Sequence, residues 1–469
     1  MRQIPKYVPR QVEEETMAFW QANDIFKKSL EKNKDNEPYS FYDGPPFANG
    51  LPHFGHSLVT SIKDAIGRYQ TMRGKYVERR NGWDCHGLPV EFEIEKKFNV
   101  SGKKQITELG IDKFNQACRD SVFTYKTDWE EFFDRIGRWT DKEHSYATID
   151  TSYTESVWWT FAQIYKKGHI YKGFKCMPYC PRCATPISNF EVNEGYKDNV
   201  EDPSVYVKFK LKDDTASLLA WTTTPWSLPG NAALAVKSNA KYVRVKLLDE
   251  NEELILAKDR VEVLDSNNYE IIGEFIGKDL VGKSYEPVFK LSKLAKNDNL
   301  YKVWQADFVS IEDGTGVLHV APAFGEDDLA LGTKHDIPVL STIDQDGKVR
   351  TGLGLGGFEG KFFKSADKLI IEKLTEEGKI YAAETFLHTY PFCYRCDTPL
   401  LYYSIDTWFI GVSKAKQALA DAAKDINWSP ANIKNGRFGK WLEGARDWAI
   451  SRNRYWGAPV PIWVNTDDE

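Results

Sequence analysis

The pattern of apolar and polar positions changes character along this chain. Residues 11–32 set Val12, Met17, Phe19, Trp20 and Ile25 at mixed helical spacings, which predicts an amphipathic helix. After Pro38, the run YSFYDGPPFANG predicts a short strand entering a Gly/Pro-rich loop. From about His56 to Met72, Leu58, Ile62, Ile66 and Tyr69 share one face of a helix that stops at Gly74. GKYVERRNGWDCHGLP then predicts strand and loop, and Pro89 begins a further helix. Strand, helix, strand, helix in this rhythm predicts a parallel sheet with right-handed crossovers. Stretches 111–136 and 152–168 read as helical. From about 198 to 385 short β-branched runs (VYVKFKL, YVRVKLL, LILA) alternate with turns and helices become fewer, which predicts a separate β-rich domain.

Composition narrows the class. The chain has 469 residues, enough for roughly three domains. With 42% hydrophobic and 28% charged residues it is globular, not disordered or collagen-like. A formal charge of −6 argues against coating nucleic acid by bulk charge and leaves room for a local basic groove. No apolar run approaches the ~18 residues of a membrane span, and no apolar segment follows the charged start MRQIPKYVPR. The expectation is a soluble, cytoplasmic enzyme with no membrane partner, and a monomer.

Seven cysteines, an odd number, argue against a disulfide framework. Four of them form twin C-x-x-C pairs, Cys180/Cys183 in YCPRCATP and Cys393/Cys396 in FCYRCDTP. Two such knuckles match a closed four-thiolate zinc site; the other reading is two unrelated pairs, one a redox motif. Cys176 is a competing ligand ranked below the four. The pairs stand 210 positions apart, and the β-rich stretch lies just inside them. One metal binding both pairs requires the chain to leave, build a domain and return.

The segment Gly44-Pro45-Pro46-Phe47-Ala48-Asn49-Gly50-Leu51-Pro52-His53-Phe54-Gly55-His56 is the most informative. It sets two glycines and two imidazoles at a helix N-terminus, where unpaired N–H groups and the helix dipole favour phosphate. His53 and His56 can donate to phosphate oxygens, and Gly55 between them permits close approach. Paired histidines at a helix start are also common as surface polar residues.

This block resembles the ATP-binding signature of the class I aminoacyl-tRNA synthetases. Together with GWDCHGLPVE at 82–91 it is similar to their isoleucine-specific members more than to the valine or leucine ones. WTTTPWSLPGN at 221–231, GTGVLHVAPAFGEDD at 314–328 and DWAISRNRYWGAPVPIW at 447–463 agree, so the resemblance covers essentially the whole chain. It implies an α/β architecture: a Rossmann-like parallel-sheet catalytic domain whose first half, with the first zinc knuckle, is 1–190. A β-rich editing domain is inserted at 198–385, and residues 389–469 carry the second knuckle and return to the catalytic domain. It implies ATP with Mg2+, isoleucine and the isoleucine tRNA as substrates. His53 and His56 would contact ATP phosphates, while Gly44, Asn49, Gly50 and Gly55 would line the nucleotide loop. Pro45 would lie against the isoleucine side chain, and Asp84 would bind its α-ammonium; by itself Asp84 also reads as a loop cap.

Isoleucine and valine differ by one methylene, which a hydrophobic pocket separates only weakly, a limit best known from synthetases of this kind. The insert would therefore hydrolyse valine attached to the isoleucine tRNA. Thr222, Thr223 and Thr224 offer hydroxyls for a water and the terminal adenosine, although strand-edge threonines look the same. Asp328 would bind the α-ammonium of the misattached amino acid, and His319 would place the adenosine or the water unless it is a core histidine.

Other features carry less. Gly352-x-Gly354-x-x-Gly357 fits a dinucleotide fingerprint but has no strand before it or helix after it, and reads as a flexible loop. Lysines 166, 167, 172 and 175 are able to meet a tRNA backbone but read rather as a solvated helix end; Arg452 and Arg454 are candidate tRNA or active-site contacts by family position. The lysine-rich K-M-S-K-S-type loop of the family is missing, and Val412–Lys416 reads instead as a helix start. The chain is accordingly expected to be an N-terminal fragment of a longer synthetase. The competing expectations are an editing-only deacylase and an inactive tRNA-binding module.

Overall fold

The computed structural model describes residues 7–249, 252–264, 268–292 and 297–465. The chain divides into two compact units, Met1–Gly168 with Arg454–Glu469, and His169–Asn453.

The first unit runs α1 (Pro9–Ala22), α2 (Ile25–Asn33), α3 (Phe54–Met72), β1 (Arg80–Trp83), α4 (Leu88–Phe98), α5 (Gly102–Leu109), α6 (Ile111–Ser121), α7 (Lys126–Arg135), β2 (Asp141–Ala147) and α8 (Thr151–Lys166). The single helix expected over 11–32 is two, because Asp24 takes a left-handed φ of 48° that breaks the helical ladder. The helical stretch 111–136 likewise splits into α6 and α7. α3 stops as expected, with Gly74 at φ 87°. The strand expected in YSFYDGPPFANG does not form; Pro38, just before the segment, makes a parallel bridge to Tyr76, and Phe47 within it makes one to Asp84. Pro45 and Pro46 lack the N–H a ladder needs. β1 and β2 pair in parallel, with Gly82 opposite Tyr146. A Cβ on Gly82 would lie 2.4 Å from the Tyr146 ring, so only glycine fits there. The amphipathic helices bury Val90, Ile94, Phe114, Trp129 and Phe133 around Trp83, and Trp456 joins this core from far along the chain. Burying each such side chain contributes about 1.5–3 kcal/mol.

The second unit runs β3 (Ile170–Cys180), β4 (Thr185–Pro186), α9 (Asn189–Asn193), β5 (Tyr196–Lys210), β6 (Ala216–Thr222), β7 (Ala233–Val236), β8 (Lys241–Leu247), β9 (Glu253–Ala257), β10 (Tyr269–Ile276), β11 (Lys302–Gln305), β12 (Val317–Val320), α10 (Glu326–Lys334), α11 (Phe363–Glu376), β13 (Ile380–Pro391), β14 (Leu401–Ile410), α12 (Lys416–Lys424), α13 (Arg437–Glu443) and β15 (Trp448–Ala449). Among the described residues it contains a six-stranded sheet in the order β10-β8-β9-β6-β5-β13, a three-stranded sheet β11-β7-β12 and a four-stranded sheet β15-β14-β3-β4. β6–β9 and β7–β11 are parallel and the other pairs antiparallel, so the sheets are mixed. α11 presents Phe363, Ala366, Ile370 and Leu374 to the main core at helical spacing, against Phe209, Leu218, Tyr242 and Phe358. The run at 412–416 opens with a 3-10 turn, Val412–Ala415, and continues as α12, as its pattern predicts. Among the described residues no helix is long and apolar enough to cross a membrane.

Candidate functional sites

The cysteine pairs meet because of strand register. β3 and β14 are antiparallel with Tyr179 opposite Leu401, so the turns beyond their ends, 180–184 and 393–398, lie side by side. The bridge Phe392↔Pro399 closes the second turn. In both turns the residue after the second cysteine is left-handed, Ala184 at φ 47° and Asp397 at φ 60°. The Sγ atoms of Cys180, Cys183, Cys393 and Cys396 lie within 4.8 Å of one another. Cys396 Sγ is 3.5 Å from both Cys180 and Cys183. A tetrahedral ion with ~2.3 Å bonds to sulfur needs edges of about 3.8 Å, so the four thiols fit one. Hydrogen bonds from Cys180 and Cys183 hold the Cys396 thiol well below the usual range. Cys176 is outside this cluster, and burial pushes its thiol up to about 12.

In the first unit, His53 caps α3. Its Nδ1 accepts the Gly55 N–H at 3.1 Å, and His56 Nδ1 accepts the His53 N–H at 3.1 Å. Both neutral rings therefore carry their proton on Nε2, the atom suited to donate to a phosphate oxygen. The ring centroids lie 3.8 Å apart at a tilt of 31°, and a Cβ at residue 55 would lie 2.9 Å from His53 Cε1 and force the ring to move. Burial lowers the His56 pKa, helped by His53 and Lys63. Trp129 packs edge-on against His56 and donates Nε1–H to the Gly50 carbonyl at 2.8 Å.

A cleft of about 290 Å³ brings together Gly44, Pro45, His56, Lys63 and Arg138. Asn49, Gly50, His53, Gly55 and Asp84 are not among its lining residues. Asn49 Nδ2 reaches the Pro89 carbonyl at 3.5 Å. Asp84 accepts from the Thr148 hydroxyl at 3.4 Å, and burial raises its pKa. Arg454, a candidate contact, is instead paired at 3.0 Å with buried Glu91, whose other oxygen accepts the Tyr455 and Trp456 N–H groups. In the second unit Arg452 donates to the Ala449 and Ser451 carbonyls, and Lys175 pairs with Asp447. Sequence reasoning passed over Lys63 and Arg138, which both bind Asp43 in the same cleft; their signal was the aspartate of YDGPP.

A second cleft, of about 400 Å³, lies wholly in the second unit and is lined by Thr222, Thr224, Ser227, His319 and Asp328 among others. Thr223, in the bend that follows β6, is not among the lining residues. Thr222 Oγ1 stands 3.1 Å from Thr224 Oγ1, which stands 3.1 Å from Ser227 Oγ. Behind them runs a chain with a fixed direction. Tyr285 donates to Asn231 Oδ1 at 2.6 Å, so Asn231 Nδ2 faces the Ala233 carbonyl and His319 Nδ1. His319 Nε2–H must then donate to Ser227 Oγ, 3.1 Å away, and Ser227 donates to the Thr224 carbonyl. Burial lowers the His319 pKa to about 4, so the ring is neutral with both nitrogens engaged. Asp328 is the third residue of α10 and accepts the Ala321 N–H at 2.8 Å; burial and Asp327 raise its pKa to about 6. Ser227 and Asn231 were passed over although they lie within WTTTPWSLPGN, whereas Tyr285 comes from a distant segment with no local signal.

The glycine triplet at 352–357 is a loop filled by the chain itself. The Glu359 carboxylate accepts the N–H groups of Gly352, Leu353 and Leu355 at 2.8–3.1 Å, leaving those amides no phosphate to bind.

The family model described as tRNA synthetases class I (I, L, M and V) matches residues 15–469, and the chain belongs to that family. It is similar to the isoleucine–tRNA ligase of Chlamydia pneumoniae, 48% identical over 459 residues covering 97% of this chain and 44% of the relative. The isoleucine–tRNA ligase of Chlamydia caviae is 47% identical with the same coverages. The chain thus spans less than half the length of these relatives. Among solved structures, the ternary LeuRS–tRNA–LeuAMS complex of Agrobacterium radiobacter K84 matches 83% of this chain and 50% of its own, at 18% identity and a TM-score of 0.31. GlLeuRS-CP1 matches 39% and 98%, at 16% identity and a TM-score of 0.31.

Proposed function

We propose that the chain acts as part of an isoleucine–tRNA ligase, with synthetic residues in the first unit and an editing hydrolase in the second. In synthesis the isoleucine carboxylate attacks the α-phosphorus of Mg2+-bound ATP, the bond to pyrophosphate breaks, and the acyl group passes from the adenylate to the terminal ribose of the isoleucine tRNA. Positioning and electrostatics carry such chemistry. His53 and His56 would donate Nε2–H groups to phosphate oxygens, Gly44, Asn49, Gly50 and Gly55 would shape the nucleotide loop of a Rossmann-like domain, Pro45 would meet the isoleucine side chain, and Asp84 would take its ammonium. Zinc on Cys180, Cys183, Cys393 and Cys396 would fix the two knuckles around the inserted domain at 198–385.

In editing, water attacks the ester carbonyl of valine on the isoleucine tRNA. The bond from that carbon to the ribose oxygen breaks, and the oxygen takes the proton. Asp328 would bind the valine ammonium, Thr222 and Thr224 would hold the water or terminal adenosine, and neutral His319 would place Ser227. The observation that carries this reading is the convergence of Thr222, Thr224, His319 and Asp328, up to 106 positions apart, on one cleft. The test is deacylation of isoleucine tRNA bearing valine or isoleucine. Rapid loss of valine with isoleucine spared, abolished by Asp328→Ala, is expected; no hydrolysis of valyl-tRNA by the folded chain refutes the editing reading.

A further inference from the structure

The turn that carries the cleft hydroxyls is tied down from behind by a buried carboxyl. Asp367 lies on α11 beside Ala366, 3% exposed, on the face that packs into the main core. Its Oδ1 accepts the backbone N–H of Trp226 at 2.7 Å. Trp226 is the second residue of a short 3-10 helix, Pro225–Gly230, whose preceding residue, Thr224, supplies no side-chain cap. Pro225 has no N–H, so the Trp226 amide is the first donor of that helix that needs a partner, and it is buried. Asp367 supplies from 141 positions away the cap that the local sequence lacks. Thr224, two residues before Trp226, and Ser227, the residue after it, bear two of the cleft hydroxyls and are bonded to each other.

Burial raises the Asp367 pKa to about 8, with Asp202 adding to the rise and Lys364 opposing it. Lys364 is paired with Asp202 of β5, which also holds His388 of β13 at 2.9 Å. The local charges are thus matched among themselves, and near neutral pH the role of Asp367 is that of a neutral acceptor.

We propose that Asp367 is a positioning residue of the hydrolytic cleft, holding the 224–227 turn so that the Thr224 and Ser227 hydroxyls stand where deacylation requires them. This rests on the editing reading of the cleft. Asp367→Asn keeps an acceptor oxygen, and Asp367→Leu removes it while keeping the branching and the number of side-chain heavy atoms. The leucine variant is expected to lose about tenfold or more in kcat for valyl-tRNA deacylation with KM within about threefold of wild type, and the asparagine variant to retain kcat within about threefold. Amide exchange at Trp226 is slow in wild type and asparagine proteins and fast in the leucine protein. A folded leucine variant with wild-type kcat overturns the proposal, as does an asparagine variant equally impaired. Should the leucine protein not fold, slow Trp226 exchange together with retained kcat in the asparagine protein supports the tether, and fast exchange in folded wild type overturns it. Wild-type protein that spares valyl-tRNA altogether refutes the editing reading and this role with it.

Discussion

Replacing Asp328 by asparagine separates stability from activity in a way the structure quantifies. Asp328 sits at the start of α10 with Ala321 N–H on one oxygen, and burial raises its pKa from the ordinary 3.8 to about 6. A carboxyl whose folded pKa lies above its unfolded one holds its proton more tightly in the native state. Stability is then fullest below about pH 3.8 and falls as pH rises through about 6. At about 1.4 kcal/mol per pKa unit, the rise corresponds to about 3 kcal/mol. The α10 N-terminus favours the anion and offsets about 0.5 kcal/mol, leaving about 2–3 kcal/mol. Asparagine retains an oxygen for Ala321 and cannot ionise. Wild type and Asp328→Asn are therefore expected to be equally stable below pH 4, with the variant ahead by about 2–3 kcal/mol at pH 8. Urea unfolding across pH 4–8 measures this, alongside deacylation, which the variant should lose with its ammonium partner. A gap that stays constant with pH, or a wild type that gains on the variant as pH rises, would refute the reasoning.

The same titration sets the activity profile: valyl-tRNA deacylation should rise as pH passes through about 6 and Asp328 ionises, and a flat rate from pH 5 to 7.5 contradicts its role as ammonium partner. Metal analysis should find one zinc per chain, and removing it, or Cys396→Ser, should lower the melting temperature of the second unit; unchanged melting after verified stripping eliminates the site. Glu91→Leu removes the buried carboxylate that holds Arg454 and accepts the Tyr455 and Trp456 N–H groups, a loss of about 3–5 kcal/mol, and calorimetry showing less than about 1 kcal/mol would mean that carboxylate is not a tie of the first unit.

Much of the architecture was legible because it is written in local patterns. Helical spacing located α3, α4 and α8, and β-branched runs located β5, β8 and β9. Boundaries went astray where one residue's backbone decides, as at Asp24, or where prolines remove donors, as at Pro45 and Pro46. Spacing named the four cysteines, and the family resemblance named the threonines, His319 and Asp328, yet neither could say which threonine lines the cleft or that both nitrogens of His319 are occupied.

The sequence by itself determined which groups exist and the chemistry each can perform: thiolates able to hold a metal, imidazoles at a helix start, hydroxyls and a carboxylate in two separated motifs. Only the tertiary structure decided their company. The β3–β14 register sets cysteines 210 positions apart within reach of one ion. Burial, which no local pattern encodes, turns His319 neutral and raises Asp328 and Asp367. Side-chain identity is a property of one position, whereas proton affinity and hydrogen-bond direction belong to everything packed around it.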